Sequence, residues 1–303
     1  MPDSKLLSLA DAVARFVPDG ASVVMGTALE SFIPFAAGAE IVRQRRRDLT
    51  LIGPISDILF DQLIGAGCVR RVRAAWVGNV ITGSGYNFRR AVESGALEVE
   101  DHSNLTMVMA LRAAAMGVPF MPARTALGSD LYRTNAGLKA ITCPFTGVRL
   151  TAVEAIRPDV AIVHVQRADA AGNAHAWGNL GVTREACLAA EHVVLTAEEI
   201  VAHEVITSDP NRVLTPGFRV SAVVHAPFGA HPSPVPGCYN RDHRFFLEYQ
   251  EASRTPEGFA AWRRQWIDDV RDPDDYLARL GPERVASLEL RTPAPAAAAD
   301  FGY

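Results

Sequence analysis

The sequence predicts an α/β fold: an open, mostly parallel, twisted sheet flanked by helices, with a C-terminal helical extension. Short apolar runs rich in β-branched residues alternate with segments whose apolar positions recur at helical spacing, which is typical of parallel strands covered on both faces by crossover helices. Hydrophobic residues make up 49% of the 303 residues and charged residues 21%. This composition supplies a large apolar core and excludes a mostly disordered chain.

The order of elements follows from these runs. Most of the strand-like runs are continuously apolar, as strands buried on both faces should be. Gly67, Gly95 and Gly117 stand where three of the helices would end. The predicted strands cover residues 22–25, 49–52, 72–77, 97–100, 160–165, 193–196 and 220–225, and the predicted helices cover 35–46, 60–66, 88–94, 107–116 and 183–190.

The character of the sequence changes near residue 243. We interpret 1–243 as one α/β domain and 244–303 as a helical extension and loose tail of that same domain. The extension begins with an aromatic and charged helical stretch and ends in PAPAAAADFGY, which cannot form a core. Trp262 and Trp266, four residues apart, are predicted to anchor it against the body or another subunit.

Charge and composition exclude several classes of protein. A net charge of −4 and a pI near 6.1 disfavour a nucleic-acid partner. Neither a secretory signal nor an apolar run of membrane-spanning length is recognisable, so we expect a cytoplasmic protein without a membrane partner. The four cysteines lack C-x-x-C spacing and are interpreted as small buried residues, and the histidines lack H-E-x-x-H spacing, so no metal site is expected.

The first chemically suggestive segment is the loop after the first predicted strand. Gly26, Thr27 and Ala28 are small residues between that strand and a helix that starts near Pro34. A loop of this kind exposes backbone N–H groups that can receive an anion or a developing oxyanion. A plain strand-to-helix turn is the alternative. The segment lacks both G-x-G-x-x-G and the P-loop signature, so no nucleotide site is predicted.

Polar residues also follow the next two predicted strands. Gly53, Ser56 and Asp57 come after the second strand, and Asn79 and Ser84 follow the third. Because the carboxyl ends of parallel strands share one sheet edge, these residues are predicted to line a substrate pocket with hydroxyl and N–H donors. Each loop taken alone is also explained by turn chemistry.

The segment 98–104 leaves the fourth strand and enters a helix. Glu100 is predicted to be a pocket-lining catalytic carboxylate that orients substrate or a partner loop, with Ser103 and Asn104 beside it. The alternative is helix capping by Ser103 or Asn104. Among the histidines, His164 within a strand and His225 at a strand end are predicted to be buried core residues. His231 lies in a loop after a strand and is the candidate for the pocket.

Several stretches carry a resemblance to a known family. Asp19, Gly20, Gly26 and Pro34 match the first pattern of the family I CoA-transferases, whereas Thr27 and Ala28 stand where Gly and Phe are usual and Phe32 replaces a further Gly. The segment VVHAPFGAHPSPVPGCY at 223–239 is the most distinctive match. Other matching stretches are DLTLIG, DQLIGAGCVRRV, LEVEDHSN, AAAMGVPFMP and RPDVAIVHVQRADAAGNAHAWG. Within this family the chain resembles the A (α) subunit of glutaconate CoA-transferase, and the A subunit of a related steroid ring-opening acyl-CoA hydrolase shares the same layout.

The resemblance implies a divided active site. In this family the acyl-CoA thioester is attacked by a glutamate in a Ser-Glu-Asn-Gly-type motif of the B (β) subunit, which joins its partner in an α₂β₂ or larger assembly. This chain has no such motif. The segment that comes nearest to it, Glu93-Ser94-Gly95, is interpreted as the end of a helix. A family glutamate aligns with Glu100. The resemblance therefore implies a CoA thioester as substrate, no permanently bound cofactor, and, as partner, a B subunit.

Three functions stay open at this point. In the first, the chain is one half of a CoA-transferase that acts on a carboxylic or dicarboxylic acid. The second is a ring-opening acyl-CoA hydrolase, in which water replaces the acceptor acid. The third is a non-catalytic module that binds an acyl-CoA or another metabolite, and the departures at Thr27, Ala28 and Phe32 keep this possibility open.

Overall fold

The centre of the protein is a mostly parallel sheet in the computed structural model, which describes residues 4–290. The strands are β1 (Ser22–Val24), β2 (Leu49–Ile55), β3 (Val69–Trp76), β4 (Gly78–Asn79), β5 (Gly83–Ser84), β6 (Glu98–Asp101), β7 (Phe120–Ala123), β8 (Leu138–Thr142), β9 (Arg149–Glu154), β10 (Val160–Ala168), β11 (Ala174–His175), β12 (His192–Ile200) and β13 (Ala222–His225). The central sheet has the strand order β13-β12-β10-β1-β2-β3-β6, and the short antiparallel strand β11 pairs with β10.

Helices cover both faces of the sheet. Short 3₁₀ turns lie at Pro210–Arg212 and Gly217–Arg219, and a π-helical turn, Arg264–Asp268, continues one of the C-terminal helices. The helices are α1 (Leu9–Phe16), α2 (Phe35–Arg43), α3 (Leu59–Gly65), α4 (Tyr86–Glu93), α5 (Asn104–Ala115), α6 (Leu131–Thr134), α7 (Thr183–Ala189), α8 (His203–Thr207), α9 (His243–Ala252), α10 (Pro256–Arg263), α11 (Pro273–Leu280) and α12 (Pro282–Ser287).

The direction of winding reverses once, between β1 and β10. From β1 the chain moves outward through β2 and β3 to β6, then returns to the other side of β1 and continues through β10 and β12 to β13. At such a reversal the crossover helices leave on opposite faces, which opens a crevice at the carboxyl ends of the two central strands. The topology therefore places a ligand site at the end of β1.

Alternate residues of each central strand face two separate apolar clusters. Val23 belongs to the cluster under α1, α2, α3 and the C-terminal helices, whereas Val24 belongs to the cluster under α5 and α7. Both side chains are completely buried. Burial on both faces is why these strands have continuous apolar sequences.

Sequence reasoning located the main sheet and missed a smaller one. The predicted parallel α/β fold is confirmed, and each predicted strand and helix overlaps an observed one. The antiparallel sheet β7-β9-β8 was not predicted, because its strands are largely exposed and lack the continuous β-branched runs of the central strands. Helix α1 was missed as well.

The C-terminal helices pack on the body of the chain. Trp262 and Trp266 are buried in the same cluster as Phe245 and Tyr249, so their predicted role as anchors against the body is confirmed. The predicted loose tail, 293–303, lies outside the described residues.

A buried carboxylate ties this extension to the body. Asp61 is completely buried on α3 and accepts hydrogen bonds from the Tyr249 hydroxyl at 2.6 Å, the Phe88 N–H at 2.7 Å and the Asn87 amide at 3.1 Å. Burial raises the pKa of Asp61, and the three donors oppose that rise. One side chain thereby joins α3, α4 and α9.

The cysteines are free thiols, as expected, but not all of them are buried. Cys68 and Cys187 are buried, and burial raises their pKa values to about 11 and about 12. Cys143 is half-buried and Cys238 is exposed, so the prediction was wrong for these two. Cys238 follows Gly237 in a tight turn, in which the Cys238 N–H donates to the Val235 carbonyl and the side chain faces outward.

The two edges of the sheet are protected differently. At β13, the segment around Leu6 pairs in parallel with Val223 and covers the edge. The Leu7 N–H donates to the Val223 carbonyl, and the Val223 N–H donates to the Lys5 carbonyl. At β6, the edge carries Glu98 and Asp101, which are exposed acidic residues.

In the part of the chain that the structure describes, no helix is long and apolar enough to cross a membrane.

We predict that Tyr249→Phe lowers the free energy of unfolding by about 1–3 kcal/mol, because it leaves the buried Asp61 carboxylate short of a donor. Urea denaturation at pH 7 measures the change. Tyr86→Phe is the matched control, since the hydroxyl of this half-buried tyrosine is not needed by a buried carboxylate. Equal unfolding midpoints for the Tyr249→Phe variant and the parent would contradict the prediction.

Candidate functional site

The carboxyl ends of β1 and β2 are packed against each other with no room for extra atoms. A Cβ placed on Gly26 would lie 2.4 Å from Ser56 Oγ, and one on Gly53 would lie 2.5 Å from the Met25 carbonyl oxygen. Gly26 also has a φ of +67°, which favours glycine. Ser56 Oγ donates to the Met25 carbonyl at 3.1 Å. The predicted residues Gly26, Gly53 and Ser56 thus form one contact.

The loop after Gly26 turns its side chains inward. Thr27 Oγ1 lies 2.8 Å from Thr183 Oγ1, and the Thr27 carbonyl accepts from the Val182 N–H at 2.9 Å. Ala28 is 1% exposed in a small apolar cluster. The loop is therefore held in one conformation by packing beneath it, which is what a rigid set of backbone donors requires. The other members of the cluster are Phe32, Ala230, Val235, Tyr239 and Leu288.

Asp57 and Asn79 meet directly beside this loop. Asp57 is 2% exposed and accepts from Asn79 Nδ2 at 2.6 Å and from Arg241 Nη2 at 2.7 Å. Arg241 also reaches the Glu30 carboxylate, at 3.4 Å, at the exposed tip of the loop after β1. Sequence reasoning missed Arg241 and Glu30, because no local pattern connects a loop near residue 240 with one near residue 57.

Within this group, Asp57 has a pKa that is raised above the ordinary value of an aspartate. Burial raises its pKa to about 6, although the Arg241 charge and the Asn79 hydrogen bond lower it in part. The Arg241 guanidinium lies 4.1 Å from the centre of the Phe246 ring, which holds it in place. The carboxyl group of Asp57 therefore titrates closer to neutral pH than an ordinary aspartate.

Ser84 lies in a two-stranded hairpin next to this cluster. Residues Gly78 and Ser84 pair across β4 and β5, and Ser84 Oγ donates to the Val77 carbonyl at 3.3 Å. The tip of the hairpin exposes about half of the side chains of Val80 and Ile81. The structure thus brings Ser84 beside Asn79, at the end of β3.

Glu100 lies away from this group, on the edge strand. It forms ion pairs with Arg71 and Arg73 and a 2.9 Å hydrogen bond with His102 Nε2. Burial raises the pKa of Glu100, but the His102 hydrogen bond and the Arg73 charge outweigh it and hold the value at about 2. Glu100 is a permanently ionised carboxylate.

Strand register gives the separation between Glu100 and the loop after β1. Glu100 is level with Arg73, Arg73 with Ile52, and Ile52 with Val24. Three strand spacings of about 4.8 Å place Glu100 roughly 14 Å from the end of β1. The ends of β2 and β3 lie between the two predicted parts of the site, so these parts do not touch.

The residues after Glu100 start α5. Ser103 Oγ accepts from the Thr106 N–H at 3.1 Å and the Ser103 N–H donates to Thr106 Oγ1 at 2.8 Å, so the capping alternative is confirmed for Ser103. Asn104 is the first residue of α5 and is exposed. Both lie close to Glu100 in sequence, at the start of the helix that follows β6.

His231 is not with the other predicted residues. It is buried, with Nδ1 2.6 Å from the Tyr276 hydroxyl and Nε2 3.0 Å from Asp242 Oδ2. Burial lowers its pKa. His231 thereby joins its loop to α11, and through the Asp242–Arg284 ion pair to α12.

The other histidines at strand positions differ from each other. His164 is buried between Thr196 at 2.9 Å and Glu198 at 2.7 Å, as predicted for a core residue. His225 was also predicted to be buried, but it is exposed, because it ends β13 at the edge of the sheet.

A buried glutamate fixes the distinctive loop at 223–239. Glu198 accepts from the Tyr239 hydroxyl at 2.7 Å and from the Phe228 N–H at 2.8 Å. The Phe228 and Tyr239 rings stack with centroids 4.4 Å apart. This network was not predicted; it explains why the loop needs an aromatic residue at its end.

Within residues 4–290, no three histidine, cysteine or acidic side chains are grouped to hold a metal ion.

Comparisons with known proteins identify the family. The sequence model of the family described as Coenzyme A transferase matches residues 6–226. The chain therefore belongs to the coenzyme A transferase family.

Relatives match along nearly the whole chain. The A chain of the 3-oxoadipate CoA-transferase of Pseudomonas knackmussii is 43% identical over 283 residues, which cover 91% of this chain and 98% of the relative. The crystal structure of glutaconate coenzyme A-transferase from Acidaminococcus fermentans superposes with a TM-score of 0.90 at 35% identity, covering 95% of this chain and 96% of the other. The cholesterol ring-cleaving hydrolase IpdA subunit of Mycobacterium tuberculosis is 33% identical, covering 92% and 98%.

We predict that the parent gains about 2 kcal/mol of stability relative to Asp57→Asn between pH 7.5 and pH 4.5. Burial raises the pKa of Asp57 to about 6, so the folded state binds more protons than the unfolded state in this window, and stability rises as pH falls. Urea denaturation of both proteins at intermediate pH values gives the difference. A difference that stays constant with pH would show that Asp57 titrates normally.

Proposed function

We propose that this chain is the A (α) subunit of a heteromeric CoA-transferase that moves coenzyme A between an acyl-CoA and a dicarboxylic acid. The observation that carries the proposal is the match, over nine-tenths or more of both lengths, to the corresponding subunits of two CoA-transferases whose names include dicarboxylic acids. The CoA thioester enters as a substrate, and no permanently bound cofactor takes part. Free cysteines favour a reducing, cytoplasmic location.

The covalent step belongs to the partner. The thioester carbonyl is attacked by a glutamate of the B subunit, which expels CoA thiolate and leaves a mixed anhydride. The thiolate then attacks the glutamyl carbonyl, the acyl group departs as a carboxylate, and a glutamyl-CoA thioester remains. The acceptor acid reverses these two steps. No group on this chain becomes covalently bound, in keeping with its lack of a Ser-Glu-Asn-Gly motif.

This chain would supply the fixed walls of the site. We assign Gly26, Thr27 and Ala28 to the oxyanion loop, because the loop is rigid and stands at the reversal of the sheet. The pocket residues are Gly53, Ser56, Asp57, Asn79 and Ser84, beside the loop. His231 is assigned a supporting role, since both of its ring nitrogens are engaged within the chain.

Glu100, with Ser103 and Asn104 nearby, would form the opposite wall. Glu100 and the loop lie about 14 Å apart along the sheet. The carboxyl ends of β2 and β3 form the floor between them, across which the thioester and the glutamate of the partner would lie. Arg71 and Arg73 are only partly buried and could contact the second carboxylate of a dicarboxylic substrate. The exposed Val80 and Ile81 offer an apolar contact to the partner in an α₂β₂ or larger assembly.

Hydrolysis of an acyl-CoA is the second candidate. It is favoured by the 33% identity to the cholesterol ring-cleaving hydrolase IpdA. The fold and the walls of the site would be the same, with water replacing the acceptor acid. Free acid formed from an acyl-CoA without any acceptor would identify the hydrolase.

We propose that residues 244–303 belong to the same domain as 1–243. The buried Tyr249–Asp61 hydrogen bond and the position of Trp262 in the main cluster support one cooperative unit.

We predict that the purified chain alone transfers no CoA, because the nucleophile lies on the partner. Exchange between succinyl-CoA or acetyl-CoA and 3-oxoadipate or glutaconate is followed by chromatography of the thioesters. The same chain mixed with a B subunit that co-purifies with it is the positive control. Turnover by the single chain would reveal a nucleophile of its own.

We predict that Glu100→Gln lowers kcat/KM of the assembled enzyme about 100-fold, since it displaces groups that position the substrate. Glu98→Gln is the matched control: Glu98 lies on the same strand but is exposed, and pairs with Arg70 at 3.2 Å. Thermal unfolding of both variants separates activity from stability. Unchanged kinetics with a lower melting temperature would leave Glu100 a structural role only.

A further inference from the structure

A second cleft lies at the amino ends of the parallel strands, whereas the candidate active site lies at their carboxyl ends. Arg43 ends α2, residues 44–48 lead into the start of β2, and Gly67 and Cys68 lead into β3, so the cleft is at the amino ends of these strands. Its volume is about 620 Å³. Nothing in the proposed reaction uses it.

The cleft is strongly cationic. Five arginines and one aspartate line it, in a chain with a net charge of −4. Two of the charges are balanced, because Arg43 pairs with Glu40 at 2.8 Å and Arg263 pairs with Asp268 at 2.9 Å. The other lining arginines are Arg45, Arg46 and Arg47, and none of them forms an ion pair with another residue in the described range 4–290.

Arg46 supplies a more specific observation. Its Nε is buried and has no hydrogen-bond partner among the described residues, while its Nη2 donates to Gln44 Oε1 at 2.8 Å. A buried donor without an acceptor is energetically unfavourable. An oxygen atom of a bound anion would satisfy it.

Helix capping explains only part of this charge. Basic residues near a helix C-terminus interact favourably with the helix dipole, and Arg43 lies in the last turn of α2. The effect falls off within that turn, so it does not account for Arg46 and Arg47, which lie beyond the helix. Arg263 comes from a different element, next to the π-helical turn Arg264–Asp268 that forms one wall of the cleft.

We propose that this cleft binds a soluble molecule that carries two or more phosphate groups. Planar guanidinium groups bind phosphate oxygens in pairs, and three unbalanced ones exceed the need of a single phosphate. A volume of about 620 Å³ is in the range of small-molecule sites. Among the described residues, the aliphatic ones lining the cleft are only Val42 and Ala66, so a long acyl chain has no apolar wall to lie against.

Calorimetric titration of the purified full-length chain tests the proposal. Pyrophosphate and ADP are the probes at 50 mM and 200 mM salt. We expect dissociation constants below 1 mM at the lower salt and weaker binding at the higher salt, as for any contact dominated by phosphate charge. Tighter binding of ADP than of pyrophosphate would assign a nucleotide, and equal binding a polyphosphate group alone.

The variant Arg46→Gln/Arg47→Gln is expected to weaken binding of both probes at least tenfold. Arg254→Gln is the control, because its exposed side chain lies outside the cleft and pairs with Glu251 at 3.1 Å. Circular dichroism checks that the variants fold, and Arg45→Gln replaces the double variant if that one does not. Absence of binding at 10 mM probe, binding that the cleft variants leave unchanged, or an equal loss in Arg254→Gln overturns the proposal.

Discussion

The close contact between the carboxyl ends of β1 and β2 determines the rest of the candidate site. Neither Gly26 nor Gly53 has space for a side chain, because Ser56 and the Met25 carbonyl fill the positions of their missing Cβ atoms. The two strand ends therefore pack closely, and the Ser56 hydroxyl donates across the contact to the Met25 carbonyl. This contact fixes the direction in which the loop after β1 leaves the sheet. It also sets the position of Asp57, which follows Ser56 immediately. A larger residue at either glycine would therefore displace the loop after β1 and Asp57 together.

The parts that sequence reasoning found and missed differ in a physical way. Buried strands reveal themselves through continuous apolar runs, and loops at their carboxyl ends share an edge by topology, which is why Gly26, Ser56 and Asn79 could be grouped in advance. Arg241 could not be, because its contact with Asp57 joins loops 184 residues apart. The small sheet β7-β9-β8 was missed because its largely exposed strands lack the continuous β-branched runs of the buried ones. His225 shows the related error of treating the last residue of an edge strand as buried.

Three buried acids connect distant parts of the chain. Asp61 joins α3 and α4 to α9, Glu198 holds the loop ending at Tyr239, and Asp242 links His231 to Arg284. In each case the partners are separated widely in sequence, so these contacts stabilise the tertiary structure rather than local elements. Removing one partner leaves a charged group without compensation, which is more harmful than losing an apolar contact of equal size.

The protected sheet edges have a consequence for the life of the polypeptide before assembly. An open, flat edge recruits strands from other chains and leads to aggregation. Here the segment around Leu6 occupies one edge, and the acidic side chains of Glu98 and Asp101 stand along the other. Both edges of the central sheet thus resist exchange of strands between copies of this chain.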